Sequence, residues 1–283
     1  MSCCTPKSKL NEQAKHDEYR RNVRDAYAKV ALTDSTQGSS TASSCCGEPD
    51  DVAINSLVSK RLGYSDEELS NVPAGADMGL GCGNPRAIAS LRTGEVVVDL
   101  GAGGGFDCFL SAQEVGETGH VIGVDMTPDM VSKARSNAEK GNYYNVEFRL
   151  GEIEHLPIAD SEADVIISNC VINLSPDKPQ VFREAFRVLK PGGRLAISDV
   201  VATVELPEDM RNDAALVAGC MGNASLIEDV VSMIEEAGFI DVRVEPKDES
   251  KSFMRDWTPD SKVLDYVVSA TIEGIKPENS SCC

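Results

Sequence analysis

The sequence has few basic residues for its length and no long apolar run. Its 283 residues include 27 Lys and Arg against 46 Asp and Glu, for a formal net charge of −19. Nucleic acids and anionic membranes attract basic surfaces, so we expect neither as a partner. No stretch approaches the ~20 apolar residues of a spanning helix, and Met1 to Leu10 contains no signal-peptide run. We therefore expect a cytoplasmic protein.

The chain also lacks the local patterns of a zinc site. Its ten cysteines include no Cys-x-x-Cys pair, and its three histidines are scattered. A reducing compartment does not maintain a disulfide framework. The thiols therefore need another explanation.

The distribution of apolar residues predicts three parts. Residues 1–50 are predicted to hold an N-terminal helix and a mobile linker rich in Ser and Thr. Residues 51–201 are predicted to form the ligand-binding domain, in which strands alternate with helices as in a parallel sheet covered on both faces. Residues 202–283 predict a smaller α+β extension that binds the substrate, and a loose tail.

Short apolar runs and amphipathic stretches predict the individual elements. The predicted strands are Val96 to Leu100, His120 to Asp125, Val146 to Leu150, Ala163 to Ser168, Arg194 to Val201, Asp241 to Glu245 and Val263 to Thr271. The predicted helices are Lys9 to Leu32, Asp51 to Leu62, Phe106 to Val115, Pro128 to Lys140, Pro179 to Leu189, Glu208 to Ala218 and Leu226 to Ala237.

A glycine-rich turn follows the first predicted strand, in the segment Val98-Asp99-Leu100-Gly101-Ala102-Gly103-Gly104-Gly105. Open α/β sheets bind ligands at this edge, and the segment lacks the Lys-Ser/Thr of a P-loop. Asp125 ends the next strand, where a carboxylate can accept both hydroxyls of a ribose. Helix capping and a simple turn are the competing interpretations of Asp99 and Asp125. Acidic groups disfavour a pyrophosphate and suit the positive charges of S-adenosylmethionine.

Together with Gly123-Val124-Asp125-Met126, Gly151-Glu152-Ile153-Glu154 and Leu189-Lys190-Pro191-Gly192-Gly193, this segment resembles a class I S-adenosylmethionine-dependent methyltransferase. The resemblance covers about residues 91–201. It implies a Rossmann-like, seven-stranded, mostly parallel sheet with helices on both faces. It also implies that the methyl donor is bound by Asp99, Gly101, Gly103, Asp125, Met126, Ile153 and Glu154.

Three cysteines lie in segments that suit a thiophilic substrate. Cys170 follows the fourth predicted strand, at the same sheet edge as the glycine turn, while Cys82 and Cys220 adjoin glycines that leave a thiol sterically open. Trivalent arsenic takes three thiolates and keeps a lone pair that can attack a sulfonium methyl without a base. Core packing is the competing interpretation of each thiol taken singly, and the one we favour for Cys108.

The strings Gly79-Leu80-Gly81-Cys82-Gly83, Ser168-Asn169-Cys170-Val171-Ile172-Asn173-Leu174 and Ala218-Gly219-Cys220 resemble the arsenite methyltransferase family. The resemblance implies metalloid ligation by Cys170 and Cys220, with Cys82 as the third thiol. A fourth family cysteine, which exchanges disulfides, matches Cys45 or Cys46. The same resemblance adds Tyr27 and Asn169 to the donor-binding residues.

The predicted function is methylation of arsenite and methylarsenite by a monomer, with a thioredoxin- or glutathione-type reductant returning electrons. The products are mono- and dimethylated arsenic, with a third transfer left open. Two alternatives remain: a methyltransferase for an organic quinone or sterol, and a non-catalytic thiol protein that sequesters metalloid. The doublets Cys3-Cys4 and Cys282-Cys283 could deliver metalloid, exchange disulfides or form dispensable tails.

Overall fold

A computed structural model describes residues 7–32, 51–211, 213–255 and 262–278. Within these ranges seven strands form one sheet in the order β3-β2-β1-β4-β5-β7-β6. The strands are β1 Val96–Leu100, β2 His120–Asp125, β3 Val146–Leu150, β4 Ala163–Asn169, β5 Leu189–Ala202, β6 Ile240–Lys247 and β7 Val267–Ile275. The first five pair in parallel and β7 pairs antiparallel to both of its neighbours. This sheet confirms the predicted fold class.

Helices connect the parallel strands and precede the sheet. They are α1 Lys7–Leu32, α2 Asp51–Arg61, α3 Asp66–Ser70, α4 Arg86–Ala89, α5 Phe106–Val115, α6 Pro128–Gly141, α7 Lys178–Val188, α8 Glu208–Arg211, α9 Ala214–Ala218, α10 Ile227–Glu236 and α11 Lys251–Met254. Short 3₁₀ helices cover Ile172–Leu174, Asp248–Ser250 and Lys262–Asp265. None of the described helices is long and apolar enough to cross a bilayer.

The two faces of the sheet carry separate apolar cores, because neighbouring residues of a strand point to opposite sides. Val97 and Val98 of β1 are both fully buried, and each belongs to a different cluster. Burial of one such side chain contributes about 1.5–3 kcal/mol. A strand that is covered on both faces has a continuous run of apolar residues in the sequence. The central strands could therefore be predicted from sequence.

Three predicted elements differ most from the structure, and the short helices α3, α4 and α11 were not predicted. The predicted helix end at Lys190-Pro191-Gly192-Gly193 is instead the start of β5, because Leu189 already pairs with Ala163 of β4. The stretch Glu208 to Ala218 forms two short helices, and the carboxylate of Asp213 accepts hydrogen bonds from the first amides of α9. The last predicted strand begins at Val267 instead of Val263, after a 3₁₀ turn.

The last two strands extend the edge of the same sheet beyond β5. The predicted boundary after residue 50 follows residues 33–50, which lie outside the described residues. The predicted boundary after residue 201 falls within β5. The division into three parts stays a prediction.

Candidate functional site

An open cavity lies at the carboxyl edge of the parallel strands. It is lined by the turn after β1, the end of β2, the segments after β3 and β4, and residues of α1. All nine predicted donor-binding residues line it: Tyr27, Asp99, Gly101, Gly103, Asp125, Met126, Ile153, Glu154 and Asn169.

Gly101 has a left-handed backbone and touches the segment that carries Cys170. Its φ is +71°, and a Cβ built on it would lie 2.4 Å from the side chain of Val171. A side chain at this position would therefore push the turn after β1 away from the segment after β4. The glycine brings the predicted donor site and the predicted thiol site to one cavity wall.

Asp125 holds the glycine turn through its carboxylate. One oxygen accepts a hydrogen bond from the amide of Gly103 at 2.9 Å, and the other accepts one from the amide of Thr127 at 2.8 Å. The hydroxyl of Thr127 is also within hydrogen-bonding reach of this carboxylate, which has about four acceptor sites. The remaining acceptor capacity suits a hydroxyl of a ribose.

Acidic groups surround the turn on several sides. Burial raises the pKa of Asp107 and Asp125, and burial with the nearby charge of Asp107 raises the pKa of Asp99 well above its usual range. Asp77 Oδ2 is buried without a hydrogen-bond partner among the described residues. A cation bound among these carboxyls would stabilise their ionised forms, so the cavity fits a positively charged ligand.

Glu154 connects the cavity to α1. It is buried, accepts a 2.6 Å hydrogen bond from the hydroxyl of Ser175, and forms a 3.3 Å ion pair with Arg20 of α1. Ile153 is buried beside it. An apolar side chain next to an acceptor suits the face and the amino group of an adenine, and α1 covers this end of the cavity.

The three predicted thiols meet at one place. The sulfurs of Cys82 and Cys170 and a carboxylate oxygen of Asp199 all lie within 4.8 Å of one another. Cys220 Sγ donates a 2.6 Å hydrogen bond to the carbonyl of Cys170 and lies within hydrogen-bonding reach of its thiol. All three thiols are free, and of the three only Cys170 lines the cavity. Cys170 is therefore the central member of the cluster.

Two of these cysteines have a strained backbone. Cys170 and Cys220 both have φ of 62°, in the left-handed region that costs a side chain of this kind of order 1–3 kcal/mol. The amide of Cys170 donates to the carbonyl of Ser198 at 2.8 Å, and the carbonyl of Cys220 accepts from Asn173 Nδ2 at 3.1 Å. These contacts hold both residues in a conformation that turns the two thiols towards each other.

The surroundings of Cys170 and Cys82 raise the pKa of both thiols. Hydrogen bonds with Cys220 and Cys82, together with burial, raise the pKa of Cys170 well above its usual range. Burial is the main cause that raises the pKa of Cys82. A ligand that binds these sulfurs must therefore displace the thiol protons, which leave with a departing group or enter solvent.

The glycines beside Cys82 and Cys220 do not expose the thiols, contrary to the sequence prediction, and Cys220 is only 3% exposed. Cys82 is 1% exposed. A Cβ on Gly81 would lie 2.6 Å from Asn169 Nδ2, and one on Gly83 would lie 2.8 Å from Ser198 Oγ. The glycines therefore allow the loop to pack closely against the ends of β4 and β5, which buries the thiol next to Cys170.

Asn169, a predicted donor-binding residue, lines the cavity and also holds the Cys82 loop. Its Oδ1 accepts from the amide of Cys82 at 2.9 Å, and its Nδ2 donates to the carbonyl of Gly83 at 2.9 Å. The same Nδ2 lies 3.2 Å from both Asp107 Oδ2 and Tyr64 Oη. Asn169 thus links the acidic part of the cavity to the thiol cluster.

Sequence reasoning missed Asp199 and Lys178. Asp199 lies in β5 beside the thiols, and burial raises its pKa to about 6. Lys178, whose pKa burial lowers to about 8, lies near Asp199 and Cys220. The signal available for Asp199 was a carboxylate inside the apolar run of a central strand, where an unpaired charge is costly.

The remaining predicted thiols fall elsewhere. Cys108 is buried in the core and donates a 3.2 Å hydrogen bond to Asp99 Oδ2. Cys45 and Cys46, and the doublets Cys3-Cys4 and Cys282-Cys283, lie outside the described residues. Their roles stay predictions.

We expect Asp125→Ala to lower the affinity for S-adenosylmethionine by about tenfold or more, because it removes two acceptors of the glycine turn and the acceptors for a ribose. Isothermal titration calorimetry of the purified chain measures this affinity. Asp129→Ala is the matched control, since Asp129 begins α6 nearby but does not line the cavity. Equal affinities of the two variants would contradict the assignment of Asp125.

Comparison with known families agrees with this geometry. The family model described as a methyltransferase domain matches residues 91–238. An arsenite methyltransferase from Halobacterium salinarum is 51% identical over 267 residues, which cover 92% of this chain and 67% of the relative. An arsenite methyltransferase from Mus musculus is 35% identical over 81% of this chain and 60% of the relative. The chain thus spans about three fifths to two thirds of these relatives.

A solved structure is similar over most of the chain. It is the arsenic(III) S-adenosylmethionine methyltransferase from Chlamydomonas reinhardtii, with 33% identity and a TM-score of 0.58. The match covers 83% of this chain and 76% of that one.

Proposed function

The chain belongs to the arsenite methyltransferase family, and on that basis we propose that it transfers methyl groups from S-adenosylmethionine to trivalent arsenic bound by Cys82, Cys170 and Cys220. The single observation that carries the proposal is the position of Cys170. It lines the same cavity as the glycine turn and Asp125, and the other two thiols adjoin it. A methyl donor and a thiophilic acceptor would therefore meet at this residue.

The residues around the glycine turn would hold the donor. The carboxylate of Asp125 suits a hydroxyl of the ribose, Ile153 and Glu154 suit the adenine, and Asp99 with its acidic neighbours suits the ammonium group. When bound, S-adenosylmethionine supplies an electrophilic methyl group on a sulfonium. The buried surroundings exclude water that would otherwise compete for it.

The three thiols would bind arsenic by ligand exchange. Each Cys–SH forms a sulfur–arsenic bond as an As–OH or As–SR bond breaks, and the thiol proton leaves with the displaced group as water or free thiol. The raised pKa of Cys170 and Cys82 is no obstacle, because no free thiolate has to persist. The bound arsenic keeps its lone pair, so nucleophilic attack needs no general base.

Each methyl transfer oxidises arsenic formally from the trivalent to the pentavalent state. A return to the trivalent state requires two electrons, which two arsenic-bound cysteine sulfurs can supply. Their two sulfur–arsenic bonds break, the two sulfurs form one disulfide, and a water or free thiol binds the arsenic and loses one proton. Cys82 and Cys170 are within reach of each other for such a bond. A thioredoxin- or glutathione-type dithiol or thiol would then reduce the disulfide by exchange.

The proposal includes a cytoplasmic monomer. The described cysteines are free, as a reducing compartment requires. All groups proposed to bind donor and arsenic come from one chain, so no second subunit is needed to complete the site.

The test is arsenic speciation by liquid chromatography with elemental mass detection. Purified protein is incubated with arsenite, S-adenosylmethionine and a thiol reductant, with a donor-free control. We expect methylated arsenic only when the donor is present. Arsenite that stays inorganic but becomes bound to protein would overturn the proposal in favour of sequestration, and arsenite that neither binds nor changes would favour an organic acceptor.

A further inference from the structure

The thiol cluster adjoins a carboxylate, which is a hard oxygen ligand that trivalent arsenic does not need. A carboxylate oxygen of Asp199 lies within 4.8 Å of the sulfurs of both Cys82 and Cys170, and all three residues are buried. The thiol of Cys220 is outside this set of mutually close ligand atoms. The most compact ligand group in the described residues is thus two sulfurs and one oxygen.

The carboxylate of Asp199 is held in place by hydrogen bonds from its neighbours. Its Oδ2 accepts a hydrogen bond from the amide of Ile172 at 2.8 Å. Its Oδ1 accepts from Asn173 Nδ2 at 2.9 Å and from the amide of Val200 at 2.7 Å. The backbone amide of Asn173 is also within hydrogen-bonding reach of this carboxylate, so a bound cation would take the place of one of these donors. Hydrogen bonds of this kind hold a carboxylate in place for metal ligation.

Two cysteines and one aspartate suit a divalent borderline cation better than they suit trivalent arsenic. Zn²⁺ accepts sulfur and carboxylate oxygen in one tetrahedral site, and its open sites use three protein ligands with a fourth position left for water. Cys170 lines the cavity, which leaves room for that fourth ligand. We propose that Cys82, Cys170 and Asp199 bind Zn²⁺, which thereby blocks the two thiols that the proposed function assigns to arsenic.

The charge of such a site is compensated nearby. Binding replaces two thiol protons by one Zn²⁺ and releases two H⁺, so the two thiolates, the carboxylate and the cation carry one net negative charge. The buried Lys178 lies close to Asp199 and is held by hydrogen bonds to Asn223 O and Ser225 Oγ. Its ammonium group can offset that charge.

The first experiment measures zinc alone, without arsenite or methyl donor. It uses the full chain in which the cysteines outside the described residues are changed to serine, namely Cys3, Cys4, Cys45, Cys46, Cys282 and Cys283. Titration against a chromophoric chelator is expected to show one Zn²⁺ per chain. X-ray absorption at the zinc edge is expected to show two sulfur and two lighter ligands. No stoichiometric binding, or three or more sulfurs, would overturn the proposal.

Paired variants separate the zinc site from the arsenic site. Asp199→Asn is expected to weaken zinc binding by about tenfold or more while arsenite binding stays within about twofold. Cys220→Ser is expected to do the reverse, because it removes a third thiolate from arsenic and no zinc ligand. Cys108→Ser, which changes a buried thiol outside the cluster, is the control and should leave zinc binding unchanged. Loss of zinc binding in Cys220→Ser but not in Asp199→Asn would contradict the assignment.

Asp199→Asn can also lower stability, since three donors depend on the carboxylate. The thermal unfolding of this variant is therefore measured alongside its zinc affinity. The number of sulfur ligands found by X-ray absorption is measured in the chain that retains Asp199, so it does not depend on this variant. The outcome is independent of the proposed function, because zinc binding is measured without turnover. If arsenite methylation is observed, Zn²⁺ is further expected to inhibit it competitively with arsenite; inhibition competitive only with the donor would overturn the proposed location.

Discussion

Cys170→Ser is expected to lower arsenite methylation by about 100-fold or more, with the affinity for S-adenosylmethionine within about twofold of the unchanged chain. Cys170 is the thiol that lines the donor cavity and that adjoins both other thiols. Serine is nearly isosteric and keeps the side-chain volume at a backbone with positive φ, but its oxygen is a poor ligand for a soft centre. The variant therefore tests ligation with little change in packing.

Three measurements make this prediction sharp. Arsenic speciation gives the turnover, calorimetry gives the donor affinity, and equilibrium binding of arsenite gives the loss of the sulfur ligand. Cys108→Ser is the matched control for arsenite binding, because it changes an equally buried thiol that does not line the cavity. Full turnover in Cys170→Ser would refute ligation by this residue.

Cys82→Ser is expected to discriminate between two substrates. Inorganic arsenite has three exchangeable positions and monomethylated arsenite has two, so only the former can use all three thiols. We expect the loss in kcat/KM for arsenite to exceed the loss for methylarsenite by about tenfold, which corresponds to about 1.4 kcal/mol. The comparison within one variant removes any general effect on folding or donor binding.

Cys220→Ser provides the contrast for this experiment. Its thiol adjoins Cys170, and the proposed function uses it for both substrates, so comparable losses on the two are expected. If Cys82→Ser also lost both activities equally, the assignment of Cys82 as the third thiol would be contradicted. Turnover of both substrates is measured by the same speciation assay.

Local sequence signals were sufficient for most of the fold. The apolar runs that became β1 and β2 have the predicted bounds, because a strand covered on both faces requires continuous apolar residues. The start of β5 was wrong, since pairing of Leu189 with Ala163 overrides the turn preference of Pro191 and the glycines after it. Tertiary pairing decided that boundary, and no local pattern contains it.

The candidate site shows the same division. The glycine turn and Asp125 could be found from sequence because both follow predicted strands, and parallel strands bring their carboxyl ends to one edge. Cys82 and Cys170 are 88 positions apart, and only the packing of the Cys82 loop against Asn169 and Ser198 brings their sulfurs together. Sequence also favoured an accessible Cys82, whereas its flanking glycines serve close packing.

The sequence by itself determined the chain order of the seven strands and of the longer helices, the glycine turn with its acidic partner, and the identity of the thiols, because each depends on residues near one another in the chain. The tertiary structure decided which thiols adjoin, how deeply they are buried, and that Asp199 stands beside them. These properties depend on distances in space at the edge of the sheet. The separation of residues along the chain does not determine those distances.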